Sequence, residues 1–116
     1  MHPILKDAFH AEMLTAKKYY ERGEYRDCFH HLERAHVIGQ RHAWPHTVNH
    51  WWMLKVGMRL GSGREIFGQF LRLVGGGITS LLGRAPIGNT GGANVGIMTP
   101  MPIPEDLAAI FRQAGM

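Results

Sequence analysis

The stretch Ala16-Lys17-Lys18-Tyr19-Tyr20-Glu21-Arg22-Gly23-Glu24-Tyr25-Arg26-Asp27-Cys28-Phe29 decides the fold. Before Gly23, apolar residues recur at helical spacing back to Ile4, which follows Pro3, a residue suited to a first helical turn. After it, Tyr25, Cys28, Phe29, Leu32, Ala35 and Gly39 form an apolar arc of the same period. Gly23 separates two patterns that would otherwise run together. The stretch therefore predicts a helical hairpin, with helices over 4–22 and 24–40.

Working outward, Trp44-Pro45 restarts the chain and predicts a third helix to about Leu60, closed by Gly61-Ser62-Gly63. A fourth begins near Arg64 and is secure to Val74, beyond which Gly75-Gly76-Gly77 weakens its last turns by about 1 kcal/mol per Gly and leaves them open to breaking. Residues 83–104 offer no period. Pro104-Glu105-Asp106 opens a short last helix, with acids where the helix dipole favours them. No alternating pattern competes, so the expected fold is all-α: a small antiparallel bundle of four main helices in one domain. It divides into a bundle over 1–82, a Gly/Pro-rich wrapping loop over 83–104 and a terminal helix over 105–116.

Composition narrows the function. Of 116 residues, 45% are apolar and 19% charged, a balance that excludes disorder. One Cys excludes an internal disulfide and a cysteine zinc set, and fits a reducing compartment. The start lacks a secretory apolar core, and Leu73 to Leu82 is about half a membrane span. A net charge of +4 is too small a field to argue nucleic-acid binding. The expectation is a cytoplasmic protein with no membrane or nucleic-acid partner. The asymmetry is in histidine: all eight lie within the first 50 residues.

Helical phase sorts them. His10, His30 and His31 fall on wet faces. Glu12 falls inside the first helix's apolar stripe, where a lone carboxylate is costly unless paired or coordinated. His36 lies in the buried arc of the second helix, within Glu33-Arg34-Ala35-His36, the Glu-x-x-His pattern of carboxylate-bridged bundle sites. His46 and His50, one turn apart, share the inward face of the third helix with Met53, flanked by Trp51 and Trp52. Folding at Gly23 and near residue 42 brings Glu12, His36, His46 and His50 to one height. Such donors suit Zn, Fe, Ni or Cu. Glu33 is expected as a fifth donor or as a partner holding an imidazole tautomer, and His42 could join. The competing reading is a His–Glu hydrogen-bond network in a structural core.

Gly88-Asn89-Thr90-Gly91-Gly92-Ala93-Asn94-Val95-Gly96 lacks the Lys of a phosphate loop. It reads either as irregular packing or as a lid over the site, with Asn89, Thr90 and Asn94 satisfying backbone groups and Arg84 nearby. Ile87, Val95, Ile97, Met98, Met101 and Ile103 would seat the segment on the helices.

Two resemblances add to this. Ala16, Tyr19, Gly23, Tyr25, Cys28, Leu32 and Ala35 resemble the packing positions of one tetratricopeptide-type unit, over about a third of the chain. No second copy follows, and a solenoid needs about three. Leu32-Glu33-Arg34-Ala35-His36, the His46/His50 pair, and Leu82-Gly83-Arg84 through Gly88-Asn89-Thr90-Gly91-Gly92-Ala93-Asn94 together resemble a small bacterial family, domain of unknown function 3703. That resemblance covers nearly the whole chain and implies no established activity. The leading expectation is a transition-metal-binding bundle for buffering, sensing or delivery. Alternatives are a metal-free tetratricopeptide-like adaptor for a protein partner or a second copy, and a small metal-dependent oxidase or hydrolase with the Gly-rich loop as lid.

Overall fold

A computed structural model of the chain describes residues 1–81, 92, 93 and 100–116, leaving aside the side chains of residues 74–81. Five helices follow one another: α1 (Pro3–Glu21), α2 (Tyr25–Gly39), α3 (Ala43–Leu60), α4 (Gly63–Leu81) and α5 (Glu105–Gln113). No strand occurs among the described residues, and the all-α expectation holds. α1 packs on α2 and α3 on α4 as two hairpins, α2 joins them through α3, and α5 lies against α1.

Both hairpin turns have the same cause. Gly23 and Gly61 sit at φ +73° and +67°, left-handed backbone that only glycine adopts freely. Each lets two amides turn back onto the last helical carbonyls. Gly23 N donates to Tyr20 O and Glu24 N to Tyr19 O, while Gly61 N donates to Met58 O and Ser62 N to Gly57 O. This is the double closure of a Schellman end. α4 continues unbroken through Gly75-Gly76-Gly77 to Leu81, so the weakening expected there does not end the helix. The cost of glycine is one of propensity, and an intact backbone ladder on both sides can carry it.

The core is built from Leu5, Phe9, Met13 and Ala16 of α1, Cys28, Leu32 and Ala35 of α2, Met53 and Val56 of α3, and Leu107 of α5. Burying a side chain such as Leu32 contributes about 1.5–3 kcal/mol. Cys28 is part of this packing, and burial pushes its thiol up to about 11, which keeps it protonated and unreactive at neutral pH.

The α3–α4 hairpin closes tightly because residue 57 has no side chain. A Cβ there would meet Glu65 Cβ at 3.0 Å and the Ile66 amide nitrogen at 3.4 Å. Gly57→Ala should gain about 1 kcal/mol of helix propensity and lose about 1–3 kcal/mol to overpacking. A net destabilisation of about 1 kcal/mol is expected in urea unfolding. Unchanged stability would show that α4 moves away without cost.

Candidate metal centre

α2 and α3 cross where both turn histidines inward. His36, His46 and His50 are 4%, 7% and 2% exposed, and each directs its Nε2 at the other two. The separations are 3.0 Å for His36–His46, 3.0 Å for His36–His50 and 2.7 Å for His46–His50. The rings meet edge to face, with centroids 4.5–4.8 Å apart. Three buried imidazoles so grouped can hold a metal ion.

α4 supplies the outer support. His50 Nδ1 lies 2.5 Å from Gln69 Oε1, and Gln69 Nε2 donates to Glu65 Oε2 at 2.9 Å. The Ala93 amide donates to Glu65 Oε1, also at 2.9 Å. The carboxylate orients the Gln69 amide, because only the NH2 group can donate to it. Gln69 therefore presents its carbonyl to His50, so Nδ1 carries the proton and Nε2 bears a lone pair. Outer partners of metal-bound histidines act in this way.

Glu65 is diverted to this task. Ser62-Gly63-Arg64-Glu65 has the pattern of a capping box, and Ser62 Oγ does accept from the Glu65 amide. The Ser62 N–H, which the Glu65 carboxylate would normally take, is already spent on Gly57 O. The carboxylate is thus available to Gln69 and Ala93.

The electrostatics favour neutral imidazole. Burial pushes the His50 imidazole down to about 3, with His46 and Arg72 acting in the same direction and Gln69 opposing. Arg72 on α4 is itself 9% exposed, and burial lowers its pKa against the pull of Glu65.

The expected fourth donor is elsewhere. Glu12 accepts from Arg34 Nε at 2.7 Å and lies 2.7 Å from His31 Nδ1, so its charge in the apolar stripe is paired rather than coordinated. His31, placed on a wet face by helical phase, reaches round to it, and so does Arg34. His31 also stacks on Tyr19 at 5.5 Å, and Arg34 continues to Asp106 of α5. Glu33 lies outside the histidine cluster, in a cleft shared with Arg26, Arg64 and Glu65. His42 precedes α3 and lines a different pocket, with Arg41 and Phe111. Trp51 is exposed and Trp52 packs edge-on against Tyr20 with Lys55 over its ring, so neither screens the cluster. His10 and His30 are exposed as expected. Arg84, Asn89, Thr90 and Asn94, with Ile87, Val95, Ile97 and Met98, lie outside the described residues.

Gln69, Glu65 and Arg72 were not read from the sequence. Their signal is a polar stripe at positions i, i+4 and i+7 of α4, opposite Phe67 and Phe70. The described part of α4 inverts the usual rule, with Gln69 fully buried and Phe67 66% exposed.

The family model described as protein of unknown function (DUF3703) matches residues 4–111. No curated protein and no solved structure matches the chain. The chain belongs to that family.

Proposed function

We propose that this member of the domain of unknown function 3703 family binds one transition-metal ion through the Nε2 atoms of His36, His46 and His50, and serves in buffering, sensing or delivering that ion. One observation carries the reading: three ring nitrogens in mutual contact cannot all be hydrogen-bonded to one another. Each Nε2 is either an N–H or a lone pair, and three mutual neighbours cannot alternate between two states. At least one pair must set like against like, in a buried place where polar mismatch costs about 1–3 kcal/mol. A cation shared by three lone pairs removes the conflict at once. The Gln69–Glu65 chain already holds His50 in the lone-pair form.

The donors are neutral nitrogens, which suit Zn, Fe, Ni or Cu. His36, His46 and His50 would hold the ion through their Nε2 atoms, which lie within 3.0 Å of one another, and the ion would supply Lewis acidity there. Three protein donors are also the number found in catalytic zinc sites, so a metal-dependent oxidase or hydrolase is the second reading.

The test is calorimetric titration of untagged, chelator-treated protein with Zn(II) or Co(II). One ion per chain is expected. Gln69→Ala, which releases the His50 tautomer, should weaken binding about 10–100-fold while the helical content is kept. Unaltered affinity in that variant would separate the outer chain from the metal site.

A further inference from the structure

We infer that the outer face of α3, with the adjoining edge of α1, is a peripheral docking surface for an anionic phospholipid bilayer. Its centre is a stripe at positions i, i+4, i+7, i+11 and i+14: Trp44, Val48, Trp51, Lys55 and Met58. Helical phase sets this stripe opposite His46, His50 and Met53. Trp44, Trp51, Met58 and, on α1, Leu14 are each more than half exposed. Leu14, Trp44 and Val48 share a groove of about 440 Å³ between the two helices. Large apolar side chains gathered in water on one face of a small domain mark an interaction site.

Cations are set among these groups. Lys55 Nζ sits 3.7 Å from the centroid of the Trp52 ring, and Lys17 Nζ of α1 lies 5.4 Å from the same centroid. Arg59 donates from Nε to the Tyr20 hydroxyl at 3.1 Å. None of the three has a carboxylate partner among the described residues, and α3 contains no Asp or Glu. On α1 the exposed acids Asp7 and Glu21 are outnumbered by the exposed Lys6, Lys17 and Lys18. The modest net charge of +4 is thus unevenly placed, with positive charge concentrated beside the exposed apolar groups.

This chemistry selects the partner. Tryptophan and lysine together suit the boundary between headgroups and acyl chains, where the indole meets hydrocarbon and the ammonium meets phosphate. Single-stranded nucleic acid needs open ring faces for its bases. Here Lys55 lies over both Trp52 and Tyr20, and Met58 and Leu14 give a base no ring to stack on. A second copy docked through the same face would set Lys55 and Arg59 against cations, with no acid on α3 to answer them. No helix among the described residues is long and apolar enough to cross a membrane, and the contact inferred is at the bilayer surface.

The experiment is co-sedimentation of the full chain with phosphatidylcholine vesicles, with and without phosphatidylglycerol, alongside tryptophan emission. The chain should bind the anionic vesicles with a blue-shifted emission, and the neutral ones about tenfold or more weakly. Added salt should weaken the anionic binding. Lys17→Gln combined with Lys55→Gln should cost about 25-fold, roughly fivefold per cation. Trp44→Ser combined with Trp51→Ser should weaken binding and remove most of the blue shift. Arg26→Gln, at an exposed position on α2, should leave the affinity unchanged. Indifference to phosphatidylglycerol, an unshifted emission in the bound protein, or equal loss from Arg26→Gln and the lysine pair overturns the inference. Retention of oligothymidylate without vesicle binding also overturns it and identifies nucleic acid as the partner. A dimer lost in the tryptophan pair, again without vesicle binding, overturns it in favour of a second copy. Should either double variant not fold by circular dichroism, the lipid comparison and salt series on the wild-type chain decide.

Discussion

Replacing His50 with alanine should weaken Zn(II) or Co(II) binding by more than a hundredfold, beyond the 10–100-fold typical of removing an outer partner. His50 occupies the central position in the arrangement. It is 2% exposed, its Nε2 touches both other histidines, and its Nδ1 ties the cluster to α4 through Gln69. Its removal takes away one of three donors and disconnects the α4 support from the remaining two. His46→Ala should approach the same loss, since His46 Nε2 lies within 3.0 Å of both partners. His30→Ala, on an exposed face of α2, should change nothing measurable. Parallel circular dichroism of the metal-free proteins separates lost ligation from lost fold. Equal weakening by His30→Ala and His50→Ala would identify the binding as surface chelation.

Acid should destabilise the metal-free protein well above the range in which carboxylates titrate. His50 has an ordinary value of 6.5 in the unfolded chain and is pushed down to about 3 by burial in the folded one. Between those values the unfolded chain binds more protons, so stability rises with pH. Its contribution is fully present above 6.5 and is lost as pH falls toward 3, at about 1.4 kcal/mol per pH unit. The total, roughly 3–5 kcal/mol, is a large part of the 5–15 kcal/mol that holds a small domain together. Urea unfolding midpoints measured from pH 7 to pH 4 should decline steadily from about 6.5 downward. The bound metal should be released over the same range, because a proton and the ion compete for one lone pair. Flat stability down to pH 4.5 would mean that the His50 ring takes up a proton in the folded state.

The histidine cluster was legible because three separate regularities agree on it. His46 and His50 are one turn apart, His36 lies in an apolar arc, and the turns at Gly23 and near residue 42 fix relative heights. Those are properties of helices, and helical phase reads them well. Glu12 was misassigned for a physical reason. A carboxylate in an apolar stripe can be compensated by a metal ion or by a cation reaching across, and phase does not distinguish the two. Arg34 has a long, flexible side chain that travels from the wet face to Glu12, so the direction of its Cα says little about where its charge ends. α4 was unreadable for the opposite reason. Its buried residues include Gln69 and Arg72, while Phe67 and Phe70 are exposed, and a reading that sends apolar residues inward passes over it. Departures from local rules cluster where a structure serves something other than stability. The diverted Glu65 carboxylate is a second instance on the same helix.

X-ray absorption at the zinc edge, on the untagged chain loaded with one equivalent of Zn(II), tests the metal centre most directly. It reports the atoms bonded to the ion, together with the multiple-scattering signature of imidazole. The expected result is three imidazole nitrogens at about 2.0–2.1 Å, falling to two in His50→Ala under the same loading. An oxygen-only shell, or a single imidazole unchanged by that substitution, would contradict a site built from His36, His46 and His50.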